Sequence, residues 1–156
     1  MKEIEKYAVF FNQSGGGVTC SGGEPLMHAN YLIEALKECG KRYYHRVVDT
    51  TAFSSTETFL EVAKNTELFL IDLKVIDAKK HKEFTGVSNE KILANIQEIA
   101  KTQYDIFFRM PLINGVNTSD ENIRKTAEFM NGLARERNLI NLMKYHRIAE
   151  NKPIKL

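Results

Sequence analysis

The chain has 156 residues, 43% hydrophobic and 27% charged, which fits one soluble globular domain with a real core and no more. Lysine and arginine number 22 against 20 acidic residues, a net charge of +2, so no strong field for nucleic acid or a membrane surface is present. The N-terminal Met1–Lys6 segment has no apolar run and Leu68 to Leu73 is too short to cross a bilayer, so a cytoplasmic protein is expected.

Strand-like and helical patterns alternate along the chain. Gly17 to Ser21 is the first strand-like run. Pro25 fits the first position of the next helix and Gly40 its C-terminal cap. Tyr43 to Thr50 is the second run, and Ser54 with Glu57 forms a capping box after it. Leu68 to Lys74 is the third. Beyond Ser88, Ile92, Ile96, Ile99 and Ala100 make an apolar stripe at helical spacing. Asp105 to Leu112 is the fourth run. Thr118 with Glu121 is a second capping box, followed by the stripe Ile123, Ala127, Met130 and Ala134. Leu139 to His146 is the fifth run. Both stripes are expected to face the core. Near-continuous apolar runs suit strands buried on both faces of a parallel sheet. The alternation predicts βα units, an α/β fold, in a single domain over residues 1–156. It leaves two closures open, a barrel-like sheet and a flat doubly wound one.

Every run ends in polar or charged groups: Ser21, Asp49-Thr50, Asp72 and Lys74, Arg109, and His146. Parallel α/β folds bind ligands at the C-terminal ends of their strands. Five strands ending this way predict one converging site. His28, His45 and His81 show no metal-ligand spacing and receive no role. Cys20 and Cys39 are spaced neither as a metal pair nor as a disulfide framework, and are expected to be buried thiols in a reducing compartment.

The most specific stretch is Gly15 to Leu26, containing Ser21-Gly22-Gly23-Glu24-Pro25-Leu26. Two readings stand on the residues alone. One is a strand end where bare glycine backbone and the Glu24 carboxylate hold an ammonium group. The other is a tight strand-to-helix turn with an N-terminal glutamate.

This stretch resembles the S-adenosylmethionine-binding Gly-Gly-Glu motif of the radical S-adenosylmethionine (SAM) superfamily. Further segments resemble one branch of it, the glycyl-radical-enzyme activating enzymes of the pyruvate formate-lyase activating type. They are Val48 to Phe53, Ile71 to Lys74, His81 to Asn89, Arg109 to Asn117 and Tyr145 to Arg147, in order along nearly the whole chain. The resemblance implies a partial (β/α) barrel and a parallel sheet, with the first βα unit largely missing and Met1 to Asn12 as the tail of its helix. It implies that Gly22, Gly23 and Glu24 receive the methionyl ammonium and that Lys74 holds its carboxylate. It implies that Asp72 and His146 line the ribose and sulfonium region, and that Arg109 and Asp49 stand at the same rim. Asp49, Thr50 and Asp72 match positions that hold a monovalent cation in relatives. The implied cofactors are SAM and a 4Fe–4S cluster. The implied reaction is removal of a hydrogen atom from a glycine of a partner enzyme by a 5′-deoxyadenosyl radical, with no acid–base residue needed.

The family's cysteine triad, Cys-x-x-x-Cys-x-x-Cys, does not occur in this sequence. Cluster ligation depends on thiolates. The expectation is therefore a partial radical SAM domain that is inactive alone. Its cluster would belong only to a longer parent protein, and its open sheet edge would favour self-association. Two alternatives are a radical SAM protein with another substrate, and a non-catalytic remnant that binds SAM or the partner. Thr51-Ala52 also departs from the family pattern, in which a polar residue is often followed by glycine.

Overall fold

A computed structural model describes residues 1–144. Two short helices, α1 (Lys2–Glu5) and α2 (Ala8–Ser14), precede the first strand. Five strands follow: β1 (Gly17–Cys20), β2 (His45–Thr50), β3 (Leu68–Asp72), β4 (Asp105–Leu112) and β5 (Leu139–Lys144). All pair in parallel, in the spatial order β1-β2-β3-β4-β5. Between them run α3 (Ala29–Gly40), α4 (Thr56–Ala63), α5 (Ala78–Thr85), α6 (Glu90–Ala100) and α7 (Asp120–Asn131).

Sequential parallel neighbours require crossovers of one hand, and these put every connecting helix on the same side of the sheet. The barrel-like closure is therefore the one adopted. The burial pattern agrees. Val48, Phe69, Ile71, Ile106 and Phe108 pack in one core with Leu32 and Leu36 of α3, Phe59 and Val62 of α4, and Ile92, Ile96 and Ile99 of α6. Residues one step along each strand (Asp49, Leu70, Asp72, Phe107 and Arg109) are only half-buried. Alternation of side chains places them on the opposite, open face.

Several local expectations shift by a residue or two. Tyr43 takes a left-handed conformation, φ 58°, and closes the turn after α3 with an N–H bond to Gly40 O, so β2 begins only at His45. Gly40 is the last residue of α3 and not a left-handed cap. A side chain there would meet the Arg46 guanidinium at 2.4 Å. Pro25 starts a 3-10 turn over Pro25–His28, and α3 follows it. The caps are Ser55 on α4, accepting from Thr58 N at 3.2 Å, and Ser119 on α7, accepting from Asn122 N at 3.3 Å. Neither capping box forms, because the residue three beyond each true cap is Thr58 or Asn122, not glutamate. The stripe on α6 is core, but of that on α7 only Met130 is: Ile123, Ala127 and Ala134 are exposed, and Asn122 and Thr126 face inward with Met130.

Candidate functional site

The Gly-Gly-Glu turn leaves β1 and enters the 3-10 turn. Glu24 is its N-terminal cap. Its carboxylate is fully occupied by protein donors. Oε1 accepts from Leu26 N at 3.1 Å and from Thr50 Oγ1 at 2.5 Å. Oε2 accepts from Thr51 N at 2.9 Å and Thr51 Oγ1 at 2.5 Å. A carboxylate offers about four lone-pair positions, and protein donors meet all four of them here. Gly22 has φ 133°, a region that residues with a side chain avoid. No atom lies within 4 Å of where a side chain on Gly22 or Gly23 would begin. Among the described residues, the carbonyl oxygens of Gly22 and Gly23 accept no hydrogen bond from outside the turn.

On the open face, Arg109 joins the ends of three strands. Its Nη1 donates to Asp49 Oδ2 at 3.1 Å, and its Nη2 contacts Asp49 Oδ1. Nε and Nη2 donate to Asp72 Oδ1 at 3.0 and 2.8 Å. Ser21 Oγ adds a bond to Asp49 Oδ2 at 3.2 Å. Burial works against the Arg109 charge, but the hydrogen bonds it donates to Asp49 and Asp72 and the charges of those carboxylates outweigh it, and its pKa is raised. Thr50 points to the helix face, 3% exposed, with its hydroxyl on Glu24. Thr50 thus turns away from Asp49 and Asp72, and the Arg109 guanidinium stands between the two aspartates.

Lys74 lies just past the end of β3, half-buried, with no ion-pair partner among the described residues. Its segment is held by buried asparagines. Asn117 donates to Lys74 O at 2.8 Å and Pro111 O at 2.7 Å, and accepts from Ile113 N at 2.8 Å. Asn89 donates to Val75 O and Ile76 O at 3.0 and 2.8 Å. Asn122 accepts from Ile76 N at 3.0 Å and donates to Asn117 O at 2.9 Å. Asn95 does the same for the loop after β2, as described below. The sequence reading missed these asparagines as positioning groups. Asn95 and Asn122 are polar residues on helix faces that turn out to be buried, which is the one signal available. His81 is buried against Val87 O at 2.8 Å, a loop-closing contact. His146 lies outside the described residues.

Cys20 is half-buried and Cys39 buried. Burial raises both thiol pKa values; the Cys39 charge adds to the rise at Cys20, and at Cys39 burial outweighs the lowering charges of Arg42 and Arg46, opposite to what a metal-bound thiolate needs. Among the described residues, no group of three or more His, Cys, Asp or Glu is arranged to hold a metal ion.

The model of the radical SAM superfamily matches residues 1–130. The chain belongs to the radical SAM superfamily. Within it, the relatives place the chain in the glycyl-radical-enzyme activating branch. It is 44% identical over 141 residues to the 4-hydroxyphenylacetate decarboxylase activating enzyme of Clostridium scatologenes, covering 89% of this chain and 45% of that protein. It is 39% identical over 155 residues to the trans-4-hydroxy-L-proline dehydratase activating enzyme of Clostridioides difficile, covering 97% and 51%. The crystal structure of a domain of pyruvate-formate lyase-activating enzyme from Bacteroides vulgatus superimposes with a TM-score of 0.78 at 49% identity, covering 84% of this chain and 81% of that one. The chain spans about half the length of the curated relatives it matches. Among the described residues, no helix is long and apolar enough to cross a membrane.

Radical SAM proteins use SAM and a 4Fe–4S cluster. The bare carbonyls of Gly22 and Gly23 suit an amino-acid ammonium, and Lys74 suits its carboxylate. The donor set therefore fits SAM. It does not fit the cluster, because neither cysteine stands in a three-thiolate arrangement.

Proposed function

We propose that this chain is the SAM-binding part of a glycyl-radical-enzyme activating enzyme. The observation that carries the reading is the Gly22-Gly23 backbone standing open beside a Glu24 already held by four protein donors. The Gly22 and Gly23 carbonyls take the ammonium of the methionyl group and Lys74 takes its carboxylate. β1 and β3 flank β2, so the glycine loop and the Lys74 backbone stand roughly 10 Å apart, a span that the lysine stem and the amino-acid end of the ligand bridge together. Glu24 shapes the loop. Asp49, Arg109 and Asp72 form a fixed polar rim, with Asp72 toward the ribose. His146 retains the role that the resemblance implies. In a complete enzyme, SAM together with a cluster held elsewhere would supply the hydrogen-abstraction chemistry directed at a glycine of the partner, a glycyl radical enzyme of the pyruvate formate-lyase kind, while the residues here bind and orient SAM. None of the chain's own groups needs to move a proton.

The cluster, in this reading, is held outside these 156 residues. Anaerobic reconstitution with iron and sulfide tests this: the chain alone should retain close to no iron, and one stoichiometric 4Fe–4S cluster per chain would refute it. The reading also carries self-association. β1 is an edge strand, and Val9, Phe10, Leu139 and Leu142 are 52–65% exposed; such surfaces favour pairing with another copy. Light scattering giving a clean monomer would count against it.

A further inference from the structure

We infer that Asn95 is a positioning residue for the glycine loop: from the buried face of α6 it holds the left-handed turn at Ala52, and that turn delivers Thr51 to the Glu24 carboxylate. The inference rests on the SAM reading only in its binding arm.

Asn95 sits in the middle of the stripe Ile92, Ile96, Ile99, where an apolar residue would pack, and is 1% exposed. Burying an amide is costly unless its donors and acceptor are met. Here they are, by the loop after β2 and the first residue of α4. Nδ2 donates to Ala52 O at 2.8 Å and to Ser54 O at 3.0 Å. Oδ1 accepts from Thr56 Oγ1 at 2.8 Å, which fixes the orientation of the amide.

The loop so held contains Ala52 at φ 61°, fully buried. A left-handed conformation is unfavourable for a residue with a Cβ. It survives where neighbours over-determine it, and such places cluster at functional sites. Ala52 is gripped on both sides: Asn95 takes its carbonyl, and its N–H donates to Thr50 Oγ1 at 3.0 Å. The residue just before it, Thr51, gives both its N–H and its hydroxyl to Glu24 Oε2. Thr50 gives its hydroxyl to Oε1. A continuous path of hydrogen bonds thus runs from α6, through Ala52, to the residue that follows Gly22 and Gly23. Three of the four donors on Glu24 come from this turn. A residue on the core side of the fold thereby sets the shape of a loop at its rim.

Two variants test the relay in the whole chain. Asn95→Asp keeps the shape and the acceptor and loses both donors. Thr56→Val leaves Asn95 in place and removes the bond that orients it. Ile99→Val, on the same helix face, lowers stability without touching the relay. Amide exchange by NMR is the first readout. The Thr51 amide should exchange about tenfold faster in Asn95→Asp, and by a smaller factor in Thr56→Val, relative to the core amides of β3 and β4. In Ile99→Val, Thr51 should shift only in step with those core amides. The second readout is calorimetric titration with SAM, where Asn95→Asp should weaken binding about tenfold and Ile99→Val should not. Thr51 exchanging in step with the core in both relay variants would overturn the relay. A freed Thr51 amide with unchanged SAM affinity would overturn the positioning role. A wild-type chain that fails to bind SAM would sink the functional reading, and the exchange data would still decide the relay.

Discussion

The Oε2 atom of Glu24 accepts from both the main-chain N–H and the hydroxyl of Thr51, at 2.9 and 2.5 Å. Two groups 27 residues apart are thereby locked at the ends of neighbouring strands. The glutamate of the Gly-Gly-Glu motif is an acceptor-only group surrounded by donors. Glu24→Gln turns an amide NH₂ toward one pair of those donors. The expected loss is about 2 kcal/mol, since hydrogen bonds to a charged group are worth about 1.5–3 kcal/mol each and some are kept. Urea unfolding at neutral pH measures it, as a lower midpoint with an unchanged slope.

Arg109 is the positive centre of an otherwise acidic strand-end rim. Arg109→Ala leaves Asp49 and Asp72, each about one-fifth exposed, with no counter-charge. Fully buried pairs broken this way cost about 3–5 kcal/mol. Partial exposure reduces this to about 2–3 kcal/mol. Arg109→Lys should recover only part of the loss, because a point charge cannot fork to two carboxylates. Adding Asp72→Asn to Arg109→Ala should restore stability relative to the single variant. A double-mutant cycle by urea unfolding reads the coupling.

Ala52 supplies a sharp contrast between two substitutions. Ala52→Val introduces a β-branched side chain at a positive φ inside a fully buried site, and should cost about 2 kcal/mol or more. Ala52→Gly relieves about 1 kcal/mol of left-handed strain and loses about as much through backbone freedom. Its melting temperature should stay within a few degrees of wild type.

Stability should fall in acid partly through Glu67. The carboxylate receives Arg46 N at 2.7 Å and Arg46 Nε at 2.8 Å. Burial alone would raise its pKa, but the Arg46 hydrogen bonds and charge outweigh burial and lower it. A depressed folded pKa means that the contribution is complete above the unfolded value, about 4.3. It is lost as pH falls through the folded value. Urea midpoints of wild type should therefore drop between about pH 5 and about pH 3. Glu67→Gln should start lower and show a shallower drop over the same range.

Much of the frame was legible in the sequence because its signals are local. Apolar runs mark all five strands, and the Gly22-Gly23-Glu24 turn and the polar strand ends mark the rim on which the proposed site stands. What was hidden depends on partners far along the chain. Asn95 reads as a flaw in an apolar stripe until the loop 43 residues before it closes on its amide. The caps moved one residue because Ser54 O is taken by Asn95, and because the Asn122 side chain is drawn inward to Ile76 N and Asn117 O. Ile123 and Ala127 have core spacing, yet α7 turns Asn122, Thr126 and Met130 toward the sheet. Periodicity gives the apolar face of a helix, and only packing decides which face is covered.

The most direct test is calorimetric titration of the wild-type chain and of Lys74→Ala with SAM. The account predicts one binding site per wild-type chain and at least a tenfold weaker one in Lys74→Ala, the loss of about one charge-assisted contact. No binding to a folded wild-type chain at SAM concentrations on the order of 1 mM, or equal affinity in the two proteins, would contradict it.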